Sequence, residues 1–346
     1  MIKNNKIILV TGGAGFIGSY IVKRLVKKKF NIINLDKLTY ASNIKNLKEI
    51  EKRKNYKFIK SDIANIEKLK KIIKKYKPQY IVNCAAETHV DRSINSSKPF
   101  IKSNIIGTYN LLECIREIFF EKNNFNRSKF KLFHQVSTDE VFGDSIKVKK
   151  PPNENSSYNP SSPYSSSKAS SDHLVVAWGR TFDIPYSISI CTNNYGPYQF
   201  PEKLIPKTIL NALNGKKIPI YGNGKQIRDW LFVDDHASAI EKIIFNSKSK
   251  SNKFNISGNN QINNLDLVKI ICRKLDAKVK NKPKNIKSFE NLIHFVEDRP
   301  GHDRKYFLNA NKINKFHKWS PKTKIKDGLE ITLSWYMKNT HCWKSN

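Results

Sequence analysis

The segment Thr11-Gly12-Gly13-Ala14-Gly15-Phe16-Ile17-Gly18 constrains the fold of this chain more than any other. It closes a β-branched and aliphatic run at residues 6–11 and opens an amphipathic stretch. Gly12, Gly15 and Gly18 permit a tight turn and let backbone N–H groups approach a pyrophosphate at the N-terminus of the following helix. A glycine triplet is a weak signal alone; its place between a strand and a helix strengthens it. The next strand-like run, residues 31–36, ends in Asp36. A carboxylate there accepts hydrogen bonds from adenosine ribose hydroxyls and repels a 2′-phosphate, which favours NAD over NADP. The adjacent Lys37 weakens that preference.

Further β-branched runs at residues 57–61, 80–84, 131–137 and 186–191 alternate with amphipathic stretches. In one of these, Ile66, Leu69, Ile72, Ile73 and Tyr76 fall near helical spacing, and Lys68, Lys70, Lys71, Lys74 and Lys75 form a solvated face. The alternation predicts an α/β fold, a doubly wound parallel sheet of Rossmann type, with ligands at the carboxyl ends of its strands. After Tyr195, Pro, Gly and Asn become frequent and the alternation loses regularity. The expected organisation is an NAD-binding domain over residues 1–192 and a smaller mixed α/β domain, mainly substrate-binding, over 193–346. A return segment to the first domain is expected near 230–258, beginning with the strand-like residues 230–233. The polar, turn-rich residues 144–163 are expected to form a mobile loop at the mouth of the site.

Charge raises a different possibility. The 346 residues include 63 Lys+Arg against 29 Asp+Glu, a net charge of +34. One reading is a polyanionic partner, nucleic acid or an anionic membrane. The other is compositional drift: Lys, Asn and Ile, the residues of adenine- and thymine-rich codons, are abundant, and the basic residues are spread along the chain. The spread favours drift, with only weak binding of nucleic acid at low salt. No apolar run approaches the ~20 residues that span a bilayer, and the run at residues 7–10 is short for a secretory signal; a cytoplasmic protein is expected. Cys84, Cys114, Cys191, Cys272 and Cys342 are odd in number and never paired as C-x-x-C, which argues against a disulfide framework or structural zinc. His89, His134 and His173 lack partners at metal-ligand spacing, so no metal is expected.

Tyr164 and Lys168 stand at i, i+4, on one face of a helix. A nearby ammonium stabilises phenolate, so Tyr164 is a candidate acid/base with a lowered pKa, and Lys168 can also reach a ribose. With the glycine turn and Asp36, this pair resembles the extended short-chain dehydrogenase/reductase superfamily; the resemblance implies a substrate hydroxyl contact from Ser137 or Thr138. Asp139 and Glu140 follow at the end of a strand-like run. Reduction or 4-epimerisation needs no such pair, whereas elimination of water needs one group to take a carbon-bound proton and another to protonate the leaving hydroxyl.

Seven stretches together resemble the dTDP-glucose 4,6-dehydratase family: residues 36–41, 85–91, 136–142, 193–198, 201–206, 227–230 and 297–303. The similarity runs from about Lys6 to about Trp335. It implies an NAD-dependent hydro-lyase that oxidises C4, eliminates water across C5 and C6 and returns the hydride to C6. The cofactor would be held tightly, and the product would serve deoxysugar biosynthesis of the rhamnose type. By resemblance, Tyr164 removes the O4 proton, Lys168 tunes it and holds the nicotinamide ribose, Thr138 bonds near O4, Glu140 abstracts the C5 proton and Asp139 protonates the departing hydroxyl. The same resemblance assigns Gly12, Gly15, Phe16, Ile17, Gly18, Asp36, Lys37, Leu38, Thr39, Asp62, Ile63, Ala85, Ala86, Thr88, Ser103, Tyr164, Lys168 and Asn194 to the cofactor. It assigns Thr88, Thr138, Asn193, Glu202, Lys203, Leu204, Pro219, Tyr221, Arg228, Asn264, Arg299 and His302 to the nucleotide sugar. The two arginines have a physical warrant, because planar guanidinium groups suit a diphosphate; for Arg228 the alternative is an ion pair with Asp229. The family also implies a homodimer through helices near residues 101–120 and 164–181. Two other readings compete: a nucleotide-sugar epimerase or a dehydratase for another nucleotide sugar, and a non-catalytic basic module that binds nucleic acid. The second gives no reason to keep Asp139, Glu140, Tyr164 and Lys168 together.

Overall fold

The computed structural model describes residues 6–121 and 127–340; Cys342 lies outside them. The strands among the described residues are β1 (Ile7–Thr11), β2 (Asn31–Asp36), β3 (Tyr56–Lys60), β4 (Tyr80–Asn83), β5 (Leu132–Thr138), β6 (Tyr186–Cys191), β7 (Asn193–Tyr195), β8 (Ile218–Tyr221), β9 (Ile227–Phe232), β10 (Asn252–Ile256), β11 (Gln261–Asn263) and β12 (Ile293–Val296). Seven of them form one sheet in the order β10-β6-β5-β4-β1-β2-β3, and every pairing in it is parallel. The direction of winding reverses between β1 and β4, which opens a crevice at their carboxyl ends.

Six of the seven are the runs read from the sequence. Each is short, and all but the edge strand β3 are buried over most of their length, as parallel strands covered on both faces require; all seven residues of β5 are buried. Successive side chains alternate between two hydrophobic clusters, one around Leu9, Ile81, Leu112 and Ile188, the other around Ile8, Val10, Ile21 and Ile32. A third cluster, around Tyr195, Ile209, Phe289 and Tyr336, holds the second half together.

Within the expected return segment near 230–258, the strand-like residues 230–233 do not themselves enter the large sheet. Trp230 lies in β9, the middle strand of a separate sheet ordered β11-β9-β7. The strand that joins the large sheet is β10, beside β6. Between them the helix Val233–Ile244 lays Ala237, Ile240 and Ile244 against Ile21 of the helix Phe16–Lys27. The lysine-rich helix Ile66–Tyr76 forms as its spacing predicts: Asn65 caps it by accepting from Lys68 N, and Leu69 and Ile73 are buried.

The loop at residues 144–163 is pinned rather than free. Ser145 N donates to Lys305 O at 2.9 Å, and Asp144 Oδ1 accepts from Lys305 N at 3.1 Å. Asn309 N and Asn255 Nδ2 both donate to Pro152 O, at 2.9 and 3.1 Å, and Glu154 Oε1 accepts from Asn255 N at 2.9 Å. Ser161 Oγ donates to Asp303 Oδ1 at 2.6 Å. No described helix is long and apolar enough to cross a membrane, and Cys84, Cys114, Cys191 and Cys272 are all free thiols.

Candidate active site

The glycine turn brings two strand ends together. Gly12 takes φ 68°, and a Cβ there would sit 2.6 Å from Ala85 N, so only glycine allows the chain after β1 to pass the chain after β4. The helix Phe16–Lys27 begins after Gly15 with no side chain capping it. Its first N–H groups therefore stand ready for an anion. Asp36 is clamped at the end of β2: Oδ2 accepts from Ala14 N at 3.0 Å and Oδ1 from Leu38 N at 2.8 Å.

A continuous cleft crosses these strand ends. Every residue read as cofactor-binding borders it except Leu38, which has φ 58° and packs on the cluster behind the turn. Thr138, Asp139, Glu140, Tyr164 and Lys168 border the same cleft, as do Asn193, Glu202 and Lys203. Ser61, Gln199 and Phe200 line it as well, and no sequence pattern marked them. Four buried polar atoms on residues along it, Ser61 Oγ, Asp139 Oδ2, Asn193 Oδ1 and Gln199 Oε1, have no hydrogen-bond partner within the protein. Leaving such an atom unsatisfied costs about 1–3 kcal/mol, and a polar ligand in the cleft can offer partners to them. An uncapped helix end, a fixed carboxylate and orphaned polar atoms in one cleft fit a dinucleotide such as NAD.

The reactive groups gather where β5 meets the helix Pro163–Phe182. That helix starts with a reciprocal cap: Ser165 N donates to Ser162 Oγ at 3.1 Å, and Ser162 N to Ser165 Oγ at 3.0 Å. Pro163 fits its first position. The cap fixes Tyr164 in the first turn, and Lys168 follows one turn later. β5 ends at Thr138, whose hydroxyl donates to Asp139 Oδ1 at 3.3 Å and faces the Tyr164 phenol. Ser137 is committed elsewhere, donating to Asp172 Oδ2 at 2.6 Å. Of the two hydroxyls weighed from the sequence, Thr138 is the one that borders the phenol.

The expected lowering of the Tyr164 pKa by Lys168 is also corrected. Burial pushes the phenol well above its ordinary value and the Glu140 charge raises it further, while the Thr138 hydroxyl opposes them. Lys168 Nζ donates to Val136 O at 2.7 Å, and burial lowers its own pKa. The two acids are held differently. Burial and then the Glu140 charge drive Asp139 well above the usual carboxylate range. Burial also raises Glu140 above its ordinary value, opposed in part by Arg299, Lys203 and Arg228.

The remaining substrate candidates lie off the cleft lining. Asp91 joins Arg299 and Tyr221: Arg299 Nη1 donates to Asp91 Oδ1 at 3.1 Å and the Tyr221 hydroxyl to Oδ2 at 3.0 Å. His302 Nδ1 lies 2.6 Å from Asp298 Oδ1. Arg228 is buried, with Nη1 on Ile227 O at 2.9 Å, Nη2 on Asp303 O at 2.7 Å and the Tyr306 ring 4.2 Å from its guanidinium carbon. Asp229 does not hold it, because Asp229 accepts from Ser257, Gly258 and Asn260 instead. Leu204 and Asn264 open helices, and Pro219 sits in β8. Lys203 Nζ is tied to Thr88 O at 2.8 Å. Among the histidines, His134 is buried between Ser187 Oγ at 2.8 Å and Ser189 Oγ at 3.0 Å, His89 lies against Asp91 and Glu202, and the His173 ring lies tilted against that of Tyr158.

Comparison with known proteins places this geometry. The family model described as GDP-mannose 4,6 dehydratase matches residues 9–332. The chain is 47% identical to a dTDP-glucose 4,6-dehydratase of Escherichia coli, across 97% of this chain and 95% of that one. Among solved structures, it resembles the dTDP-glucose 4,6-dehydratase of Bacillus anthracis in complex with NAD, with TM-score 0.83 and 42% identity over 98% of both chains. It also resembles the Streptomyces venezuelae dTDP-glucose 4,6-dehydratase solved with NAD bound, with TM-score 0.87 and 35% identity over 98% of this chain and 99% of that one.

Proposed function

Because this chain belongs to the dTDP-glucose 4,6-dehydratase family, we infer that it is a hydro-lyase converting dTDP-glucose to dTDP-4-keto-6-deoxyglucose with NAD as cofactor. The observation that carries the chemistry is the Asp139–Glu140 pair beside Tyr164 in a cleft fitted for a dinucleotide. A 4-epimerase has no use for two acids of unequal proton affinity at that point.

The environment of each group supports its role. Burial and then the Glu140 charge push the Asp139 pKa well up and so favour its protonated form, which suits the group that hands a proton to the departing C6 hydroxyl. Three cations act on Glu140 and favour its carboxylate, which suits the group that takes the C5 proton. Tyr164 exchanges the O4 proton, with the Thr138 hydroxyl beside it as guide. NAD, when bound, supplies the hydride acceptor and donor, and its positively charged ring favours the phenolate that burial opposes. Gly12, Gly15 and the helix end after them would hold the pyrophosphate, Asp36 the adenosine ribose, and Lys168 the nicotinamide ribose. Arg299, with Tyr221 and Asp91 beside it, is the better placed of the two arginines for the diphosphate, because the Arg228 guanidinium already bonds two backbone carbonyls.

The enzyme works as a homodimer in the cytoplasm and binds no specific nucleic acid. Exposed Ile101, Ile106, Tyr109 and Phe182, on the chain segments 98–120 and 163–182, support a dimer face. The test is incubation with dTDP-glucose, without added NAD, and detection of the alkali-sensitive 4-keto chromophore. Turnover of CDP-glucose or UDP-glucose with none of dTDP-glucose overturns the substrate assignment. Sedimentation of the purified protein as a monomer overturns the dimer.

A further inference from the structure

The roles just derived leave one buried carboxylate at the site unused. Asp172 lies one helical turn beyond Lys168, on the helix Pro163–Phe182, and is fully buried. Its Oδ2 accepts from the Ser137 hydroxyl at 2.6 Å and from the Tyr158 hydroxyl at 3.1 Å, while Oδ1 has no hydrogen-bond partner. Lys253 in turn donates to the Tyr158 oxygen at 3.2 Å and lies 4.4 Å from its ring centre. The catalytic helix, β5, the pinned loop and β10 thus converge on one carboxylate behind the Tyr164–Lys168 pair. Four segments would not be expected to converge on a charge without use, since an isolated buried ion is costly.

Lys168 is the complementary case. Its ammonium is buried, and its hydrogen bond goes to a neutral carbonyl, Val136 O. We propose that Asp172 is a positioning residue for the dehydration, a fixed negative charge that keeps Lys168 an ammonium at its depth in the protein. The inference rests on Lys168 acting with Tyr164, as read above.

The groups acting on Lys168 support it. They are Asp172 on its own helix, Cys191 at the end of β6 and Cys84 just after β4. Burial holds both thiols near about 12, so they are neutral in the working range. Of the three, Asp172 is the one whose ordinary pKa lies well below the working range. Burial raises it, and Lys168, Ser137, Tyr158 and Lys253 all oppose that rise. Burial lowers the Lys168 pKa and Asp172 raises it. Removing the Asp172 charge therefore lowers it further, and the ammonium is lost at a lower pH.

The experiment compares wild type, Asp172→Asn, Lys168→Met and the double variant, each as the full chain checked for folding by circular dichroism. Asp172→Asn keeps the shape and removes the charge. Its kcat with dTDP-glucose should fall at least about tenfold at pH 8, because the alkaline limb of its pH profile moves down by about one unit or more. KM should stay within about twofold. In the Lys168→Met background the same change should alter kcat by less than about twofold, since the two act as one unit. If Asp172→Asn does not fold, Ser137→Ala with Tyr158→Phe removes both donors, favours protonation of Asp172 and should move the same limb the same way. An unmoved alkaline limb, or an equal loss in both backgrounds, overturns the role of Asp172. Full activity of Lys168→Met overturns the reading of the site beneath it.

Discussion

Lys37 Nζ lies 3.4 Å from Glu87 Oε1 and donates to Ser103 Oγ at 2.7 Å, so the cation that follows Asp36 is already engaged. In the sequence Lys37 blurs the choice between NAD and NADP. In the folded chain Glu87 restores it, because a paired ammonium offers little to a 2′-phosphate. Stripped enzyme should bind NAD at least about a hundredfold more tightly than NADP. Asp36→Asn should weaken NAD at least about tenfold, since a hydrogen bond to a charged group contributes about 1.5–3 kcal/mol. Glu87→Gln should narrow the preference by freeing Lys37. Titration calorimetry with both nucleotides measures all three, and an Asp36→Asn enzyme with unchanged NAD affinity would refute the ribose assignment.

The unequal acids predict a separation of half-reactions. Glu140→Gln removes the C5 base and leaves Tyr164 in place. It should still give transient absorbance of reduced cofactor on mixing with dTDP-glucose, while overall dehydration falls by about 10²–10⁴. Solvent deuterium should no longer enter C5. Near-normal dehydration by this variant would show that another group takes the proton.

Asp139 gives a pH signature. It acts in its protonated form, and activity falls as pH rises through its pKa, which burial and the Glu140 charge both raise. Asp139→Asn should abolish elimination across the whole pH range. Replacing Glu140 by Gln removes one of the raising charges, so the alkaline limb of the residual activity should move to lower pH. A limb that moves upward would contradict the coupling.

Two buried histidines make the fold acid-sensitive. Burial takes both His134 and His236 down to about 3. The unfolded chain protonates them near pH 6.5. Their stabilisation is therefore fully present above about pH 6.5 and is lost as pH falls toward the native values. Each contributes a slope of up to about 1.4 kcal/mol per pH unit in that window. Urea unfolding of His134→Gln between pH 7 and 4 should show a slope smaller by about one proton. An unchanged slope would mean that His134 is not neutral in the native state.

The parts of the site that were legible in the sequence are those encoded by neighbours along the chain. The glycine turn, Asp36 at the end of β2, the Tyr164/Lys168 spacing and the adjacent acids are local patterns, and the fold brings them to one cleft. What escaped depends on distant pairings. β10 carries two asparagines and a lysine and reads poorly as a strand; β6 and the helix Val233–Ile244 make it one. The loop at residues 144–163 looks mobile by composition, yet Lys305, Asp303, Asn309 and Asn255 hold it from far along the chain. The i, i+4 rule paired Lys168 with Tyr164 but took no account of Val136 O, which takes the ammonium, or of the burial that raises the phenol. Arg228 has the chemistry to grip a diphosphate, but the segment carrying Asp303 and Tyr306 engages it.

The bonds between the loop after Asp139 and the segment ending at Asn309 bear on how the enzyme is born. Synthesis proceeds from the N-terminus, and N-terminal domains generally fold first. A chain that has left the ribosome only as far as residue 250 already carries Asp36, Asp139, Glu140, Tyr164 and Lys168. It still lacks the edge strand beside β6 and every long-range partner of the loop from Asp303 onward. Catalytic competence should therefore come late in translation, after residues 303–309 have emerged to hold the loop.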